Sequence, residues 1–295
     1  MRFSILGSGS KGNCTLVEHN GTRLLIDAGF SAREIKNRLA TKDLLPNQIN
    51  AIFITHAHSD HSKGAPRLAG AMNIPTFATS KAHMACHKVG GLANWNQLVP
   101  GQAMSFGAFT ILPIQVPHDS PGTVAFVIEA EGHRLGILTD LGSFNQNIVD
   151  HFQNLDVVYL EFNHDLDMLF EGPYPHRLKR RVSSEYGHLN NQQSSDLLGH
   201  IASSRLKKVM LAHLSESNNT PELAFHAAQK ALVNYPEVKL AVAPQHEPSV
   251  WVDVVGPQVD TPSTAAPEAV QGNQGPHQQE EVALAVRHQV ALFST

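Results

Sequence analysis

The chain has 295 residues, 42% hydrophobic and 16% charged, which is enough apolar material for a large core and rules out wholesale disorder. A net charge of −4 excludes a general attraction for nucleic acid, so any polyanion site has to be a local patch. Two cysteines, Cys14 and Cys86, are too few for a disulfide framework and read as small core residues in a reducing compartment.

Residues 2–6 read as a strand, followed by a Gly/Ser loop. Strands over 14–18 and 22–26 meet at Asn20-Gly21, a strong hairpin turn. A helix is expected over 31–40, a buried strand over 51–55 and a helix over about 62–72. Strands over 109–116, 123–130, 133–139 and 156–161 follow, with Glu131-Gly132 as a turn. Helices over 189–203 and 221–234 then alternate with strands over 207–212 and 239–242. Hairpins and crossovers together give a mixed α/β chain. Residues 1–255 are expected to form one hydrolase domain. Residues 256–295, rich in Pro, Gln and Ala and carrying four acids against one base, read as a disordered tail. No stretch approaches the roughly 18 apolar residues of a membrane span, and Met1–Gly7 lacks a signal-peptide core. A cytoplasmic protein with no membrane partner is expected; no feature speaks to an oligomeric state.

Gly7-Ser8-Gly9-Ser10-Lys11-Gly12 matches the dinucleotide-binding G-x-G-x-x-G pattern, with Asp27 near the place of a ribose-binding acid. That pattern needs a helix opening at the glycines to receive a pyrophosphate. Here a strand and a hairpin turn follow instead, so the segment reads as a tight connection near a site.

Histidine is abundant, at 18 residues, but spacing decides its meaning. His56-Ala57-His58-Ser59-Asp60-His61 directly follows the strand expected at 51–55; by this chain's own frequencies, chance occurrence of H-x-H-x-D-H is about one in 400. Extended residues i and i+2 project to one side, so His56 and His58 can grip one cation together. The following turn brings Asp60 and His61 toward a second. Imidazoles and carboxylates without a thiolate suit zinc, manganese or iron.

This run resembles the signature of the metallo-β-lactamase superfamily, whose further elements can be found in order. Leu25-Ile26-Asp27, Val116-Pro117-His118, Leu138-Thr139-Asp140 and Leu211-Ala212-His213 each sit beside an expected strand end. The resemblance implies an αβ/βα four-layer sandwich of two mixed β-sheets holding two divalent metal ions, zinc or manganese. It implies that His56, His58 and His118 hold one metal and that Asp60, His61 and His213 hold the other. Asp140 would bridge them, and Asp27 would orient a ligand imidazole. Gly7–Asn13, Glu161–Asp165, Tyr186–Asn191 and His213–Asn219 more specifically resemble YycJ/WalJ-type hydrolases, relatives of RNase Z.

That likeness implies a phosphodiesterase, specifically a double-stranded DNA exonuclease, with nucleic acid as partner and DNA favoured over RNA. Asp60 would help orient the nucleophile, and His188 would assist phosphate binding or leaving-group protonation. His164 is a candidate for a supporting place behind the ligands. The basic cluster His176–Arg181 can contact phosphates or form a solvated loop. Two other readings remain open: a hydrolase of small cyclic phosphodiesters, thioesters or lactones on the same fold, and a non-catalytic metal-binding regulator.

Overall fold

In the computed structural model, which describes residues 1–255, the N-terminal third builds a sheet from β1 (Arg2–Gly7), β2 (Cys14–His19), β3 (Thr22–Ile26), β4 (Ala51–Phe53), β5 (Thr76–Thr79) and β6 (Trp95–Leu98). The first three form an antiparallel meander and the rest add in parallel. The β2–β3 turn puts Asn20 and Gly21 both at positive φ, as a two-residue hairpin turn requires. Because β2 runs antiparallel to β1, no helix opens at the Gly-rich loop.

The second sheet repeats the plan. An antiparallel meander of β7 (Met104–Phe106), β8 (Phe109–Gln115), β9 (Val124–Ala130) and β10 (His133–Leu138) continues in parallel through β11 (Val157–Glu161), β12 (Lys208–Ala212) and β13 (Lys239–Val242). The short β14 (Val252–Asp253) returns to pair with β1, so each sheet has seven strands among the described residues.

Helices cover both outer faces. α1 (Ala32–Ala40), α2 (Ser59–Ser62), α3 (Ala65–Met72) and α4 (Ser80–Ala85) belong to the first half. α5 (Gln146–His151), α6 (Leu166–Glu171), α7 (His176–Val182), α8 (Asn191–Ile201) and α9 (Pro221–Ala231) belong to the second. Six of these nine starts, those of α1, α4, α5, α6, α8 and α9, carry side-chain caps that meet otherwise unpaired N–H groups. Ser31 caps α1, and Asn190 with Gln193 forms a reciprocal box on α8. One apolar cluster packs α1 and α3 on the first sheet, a second lies between the sheets, and a third packs α5, α8 and α9 on the second sheet. The result is the expected αβ/βα four-layer sandwich. No helix among the described residues is long and apolar enough to cross a membrane.

The structure departs from the sequence expectation in local ways. The helix expected over 62–72 is divided into α2 and α3 at Lys63-Gly64. There the Gly64 N–H donates to the Ala28 carbonyl at 2.8 Å, and a Cβ would collide with the Phe30 carbonyl. β5, β6, β7 and β14 are two to four residues long, too short to show a period. The basic cluster forms helix α7. The expectation for residues 256–295 lies outside the described residues.

Phe53 is the aromatic hinge of the central layer: fully buried, stacked on Phe77 at 4.6 Å and edge-on to Phe126 at 6.0 Å. Phe53→Ala should therefore cost about 3–5 kcal/mol in urea unfolding. A loss below about 1 kcal/mol would show that the sheets do not depend on this contact.

Candidate metal centre

The site is assembled at strand ends. Asp27 follows β3, His56 lies just past β4, Asp140 just past β10, and His213 follows β12; Glu161 is the last residue of β11. His118 lies between β8 and β9, and Asp60 and His61 open α2. Asp27, Asp140 and His213 all take positive φ (63°, 57° and 52°), which turns the chain sharply as it leaves each strand. Such conformations cost on the order of 1–3 kcal/mol each and persist where surrounding contacts over-determine them.

Three imidazoles converge on one point. His58 Nδ1 lies 3.1 Å from His56 Nε2 and 3.3 Å from His118 Nε2. In each ring the other nitrogen is occupied. His118 Nδ1–H donates to the Gly187 carbonyl at 2.9 Å, His56 Nδ1 meets Thr55 Oγ1 at 3.0 Å, and His58 Nε2 faces Asp119 Oδ1 at 3.3 Å. Partners of this kind fix the tautomer and leave the inward nitrogens as lone-pair donors. Burial pushes all three imidazoles below their ordinary pKa, His118 to about 4, so they are neutral.

The other half is carboxylate-rich. Asp140 Oδ2 lies 3.1 Å from His61 Nε2, and its Oδ1 lies 3.6 Å from both His213 Nδ1 and His188 Nδ1. Asp60 Oδ2 is 3.7 Å from His61 Nε2 and 3.9 Å from His213 Nε2. Burial opposes Asp140's charge, but His213 and His61 outweigh it and hold the carboxyl well below its usual range. Burial likewise disfavours a charged His213, yet Asp140, Asp60 and Glu161 lift it to about 10. The carboxylates thus demand positive charge at this point.

Asp140 Oδ2 and His213 Nε2 are both buried and, although His61 and Asp60 stand near them, meet no well-aligned hydrogen-bond partner among the described residues. Buried polar atoms are normally satisfied, so two such atoms among convergent donors fit a cation. Within 4.8 Å of one another lie the donor atoms of His56, His58 and His118, of His56, His61 and Asp140, of Asp60, His61 and His213, and of Asp140, Glu161, His188 and His213. The neutral imidazoles of His56, His58 and His118, the ionised carboxylates, and His61 and His213, whose protons a bound cation would displace, together form a divalent-metal donor set.

Behind the donors stand residues that fix them. Asp27 accepts His61 Nδ1–H at 2.7 Å and is held in turn by the Thr55 N–H and hydroxyl, both at 2.8 Å. The Gly-rich loop serves as a buttress: the Asn13 N–H donates to the Asp60 carbonyl at 2.7 Å, and the Ser8 hydroxyl accepts the His213 N–H at 2.9 Å. Gly29 permits this packing, since a Cβ there would overlap the Asp60 carbonyl.

Sequence reasoning gave Glu161 and Asp119 no role, although Glu161 opens one of the segments that carry the resemblance. Fully buried, Glu161 accepts from His188 Nδ1 at 2.6 Å and from His213 Nδ1 at 3.2 Å, while its Oε2 takes the N–H groups of Leu141 and Leu189. Its oxygens are engaged, so it orients two imidazoles. Burial works against its charge, but His188 and His213 pull its pKa to about 2. Asp119, paired with Arg181, orients His58. The available signals were their positions, one ending a buried strand and the other beside His118. His164 stands further back: its Nδ1 meets Asn163 Oδ1 at 3.2 Å, and Asn163 Nδ2 donates to the His213 carbonyl at 3.0 Å.

A family model described as Beta-lactamase superfamily domain matches residues 22–213. The chain is 34% identical over 228 residues to exodeoxyribonuclease WalJ of Streptococcus pneumoniae, covering 76% of this chain and 85% of that protein. It is 31% identical over 235 residues to exodeoxyribonuclease YycJ of Bacillus anthracis, covering 79% and 89%. Among solved structures, the metallo-β-lactamase fold protein YhfI of Bacillus subtilis superposes with a TM-score of 0.65 at 16% identity, covering 84% of this chain and 98% of YhfI. The short form of human tRNase Z gives 0.61 at 17%, covering 86% and 100%; these two likenesses are of fold. With the family match spanning well over half its length, the chain belongs to the β-lactamase superfamily and has the metallo-β-lactamase fold.

Proposed function

We propose that this enzyme is an exodeoxyribonuclease, hydrolysing phosphodiester bonds of DNA with two divalent cations, zinc or manganese. The observation that carries this reading is the convergence of two donor sets on the buried Asp140 carboxylate. His56, His58 and His118 would hold one cation, Asp60, His61 and His213 the other, and Asp140 both. The names of the relatives WalJ and YycJ support DNA as substrate. The exposed Arg177 and Arg180 of α7 support it too, as groups able to neutralise phosphates. Residues 1–255 contain every group invoked, and we take them as the catalytic unit. The buried, unpaired Cys14 and Cys86 suit a cytoplasmic location.

Cations held by these donors supply positive charge that acidifies water and stabilises the attacked phosphoryl group. The chain's own residues handle the protons. Asp60, partly open to solvent, accepts a proton from the attacking water as its oxygen bonds to phosphorus. His188, with Nδ1–H held by Glu161, meets no partner at Nε2 among the described residues and gives a proton from there to the departing oxygen as the phosphorus–oxygen bond breaks. Glu161 keeps that imidazole aligned.

Incubation with end-labelled duplex DNA, single strands and RNA, in zinc or manganese, tests the substrate class. Stepwise shortening of duplex DNA is expected, and equally from a chain ending at Val255. Inert nucleic acid alongside turnover of a thioester, lactone or small cyclic phosphodiester would overturn the nuclease reading.

His188→Ala should retain both cations and a folded circular dichroism spectrum while turnover falls roughly 10²–10⁴-fold. The loss should shrink on a nitrophenyl phosphodiester, whose leaving group needs little protonation. Unchanged turnover at full metal content would remove His188 from the chemistry.

A further inference from the structure

Beside the metal centre lies a cavity of about 670 Å³ whose lining includes His118, Asp119 and Tyr186. Its size falls within the roughly 300–1,000 Å³ of small-ligand sites. The lining contains no lysine or arginine. Its charged members are Glu185 and Asp119, the latter already paired with Arg181. A phosphate would therefore be repelled here, whereas Gln115, Ser143 and Asn147 offer neutral hydrogen-bonding groups to a base or sugar edge.

Tyr186 is 59% exposed and makes no side-chain hydrogen bond among the described residues. Its backbone is nonetheless fixed. The Gly187 N–H donates to the Ser184 carbonyl at 2.8 Å, the His188 N–H to the Val182 carbonyl at 2.9 Å, and the Ser143 hydroxyl to the Glu185 carbonyl at 3.0 Å. The Gly187 carbonyl receives His118 Nδ1–H. Gly142 packs so closely on Glu185 and Gly187 that a Cβ would collide with their backbone. An aromatic ring is thus held out to solvent on a rigid loop, one residue from the carbonyl that orients His118 and two from His188.

We infer that this cavity holds the base and sugar of the terminal nucleotide of the DNA strand, with Tyr186 stacking on the base. The inference rests on the nuclease reading and names the part of the substrate that the cavity takes. A phosphodiester at the donor cluster puts its phosphate against the cation site and its base toward the uncharged pocket. An aromatic face serves every base alike, as an enzyme removing successive nucleotides requires.

The test combines Tyr186 variants with a short duplex whose terminal base, at either end in turn, is replaced by an abasic tetrahydrofuran residue. Binding is read by fluorescence anisotropy in chelator with the dye at the opposite end, and cleavage in the presence of cation. Tyr186→Ala and the abasic terminus should each weaken binding about tenfold, and their combination no further. Tyr186→Leu should behave as the alanine variant, whereas Tyr186→Trp should bind as wild type. If Tyr186→Ala binds and cuts the intact duplex as wild type does, or if the two losses multiply at both termini, the stacking assignment is overturned and the nuclease reading survives. A wild-type protein that neither binds nor cuts DNA overturns both.

Discussion

A carboxylate buried to 1% exposure is costly unless matched by positive charge, and Asp140 is such a group. Its two oxygens face different partners, His61 on one side and His213 with His188 on the other. Removing one partner of a buried ionic set typically costs about 3–5 kcal/mol because it leaves the remainder uncompensated. The arrangement is therefore all-or-none: each imidazole around Asp140 is held by a further acceptor, Asp27 behind His61 and Glu161 behind His188 and His213. Those acceptors are in turn anchored by backbone N–H groups, from Thr55 to Asp27 and from Leu141 and Leu189 to Glu161.

The fold explains why the donors come together. Both sheets pass from an antiparallel meander into a parallel half, and at that junction each delivers an aspartate in a left-handed turn, Asp27 after β3 and Asp140 after β10. The next parallel strands deliver His56, just past β4, and Glu161, the last residue of β11. The two-fold plan lives in the topology and leaves no repeat in the sequence, because the residues at corresponding strand ends do different work. Strain at the three positive-φ positions, on the order of 1–3 kcal/mol each, is offset by the contacts that converge there.

Much of the site was legible because the donor residues keep a fixed order along the chain and each sits beside a strand end. The structure gathers all seven proposed donors, from His56 to His213, into one cluster with His188 at its edge. What stayed hidden depends on three-dimensional proximity. Glu161 looks like any acid ending a buried strand until folding sets it 2.6 Å from His188, 27 residues on. Asp119 gains meaning only when α7 brings Arg181 across 62 residues to meet it. The Gly-rich loop carries a cofactor-like pattern yet works as a buttress, because the strand after it returns antiparallel. Edge strands such as β7 have only three residues, and their pairing is set by neighbours.

The most direct test of the account is a metal count. Elemental analysis of purified protein, with and without Asp140→Ala, reads whether one carboxylate serves two cations. About two transition-metal ions per wild-type chain are expected. The variant should be folded by circular dichroism yet hold less than about one ion. A folded Asp140→Ala protein that keeps both ions, or a wild-type protein that takes up only one when metal is in excess, would contradict the shared-carboxylate centre.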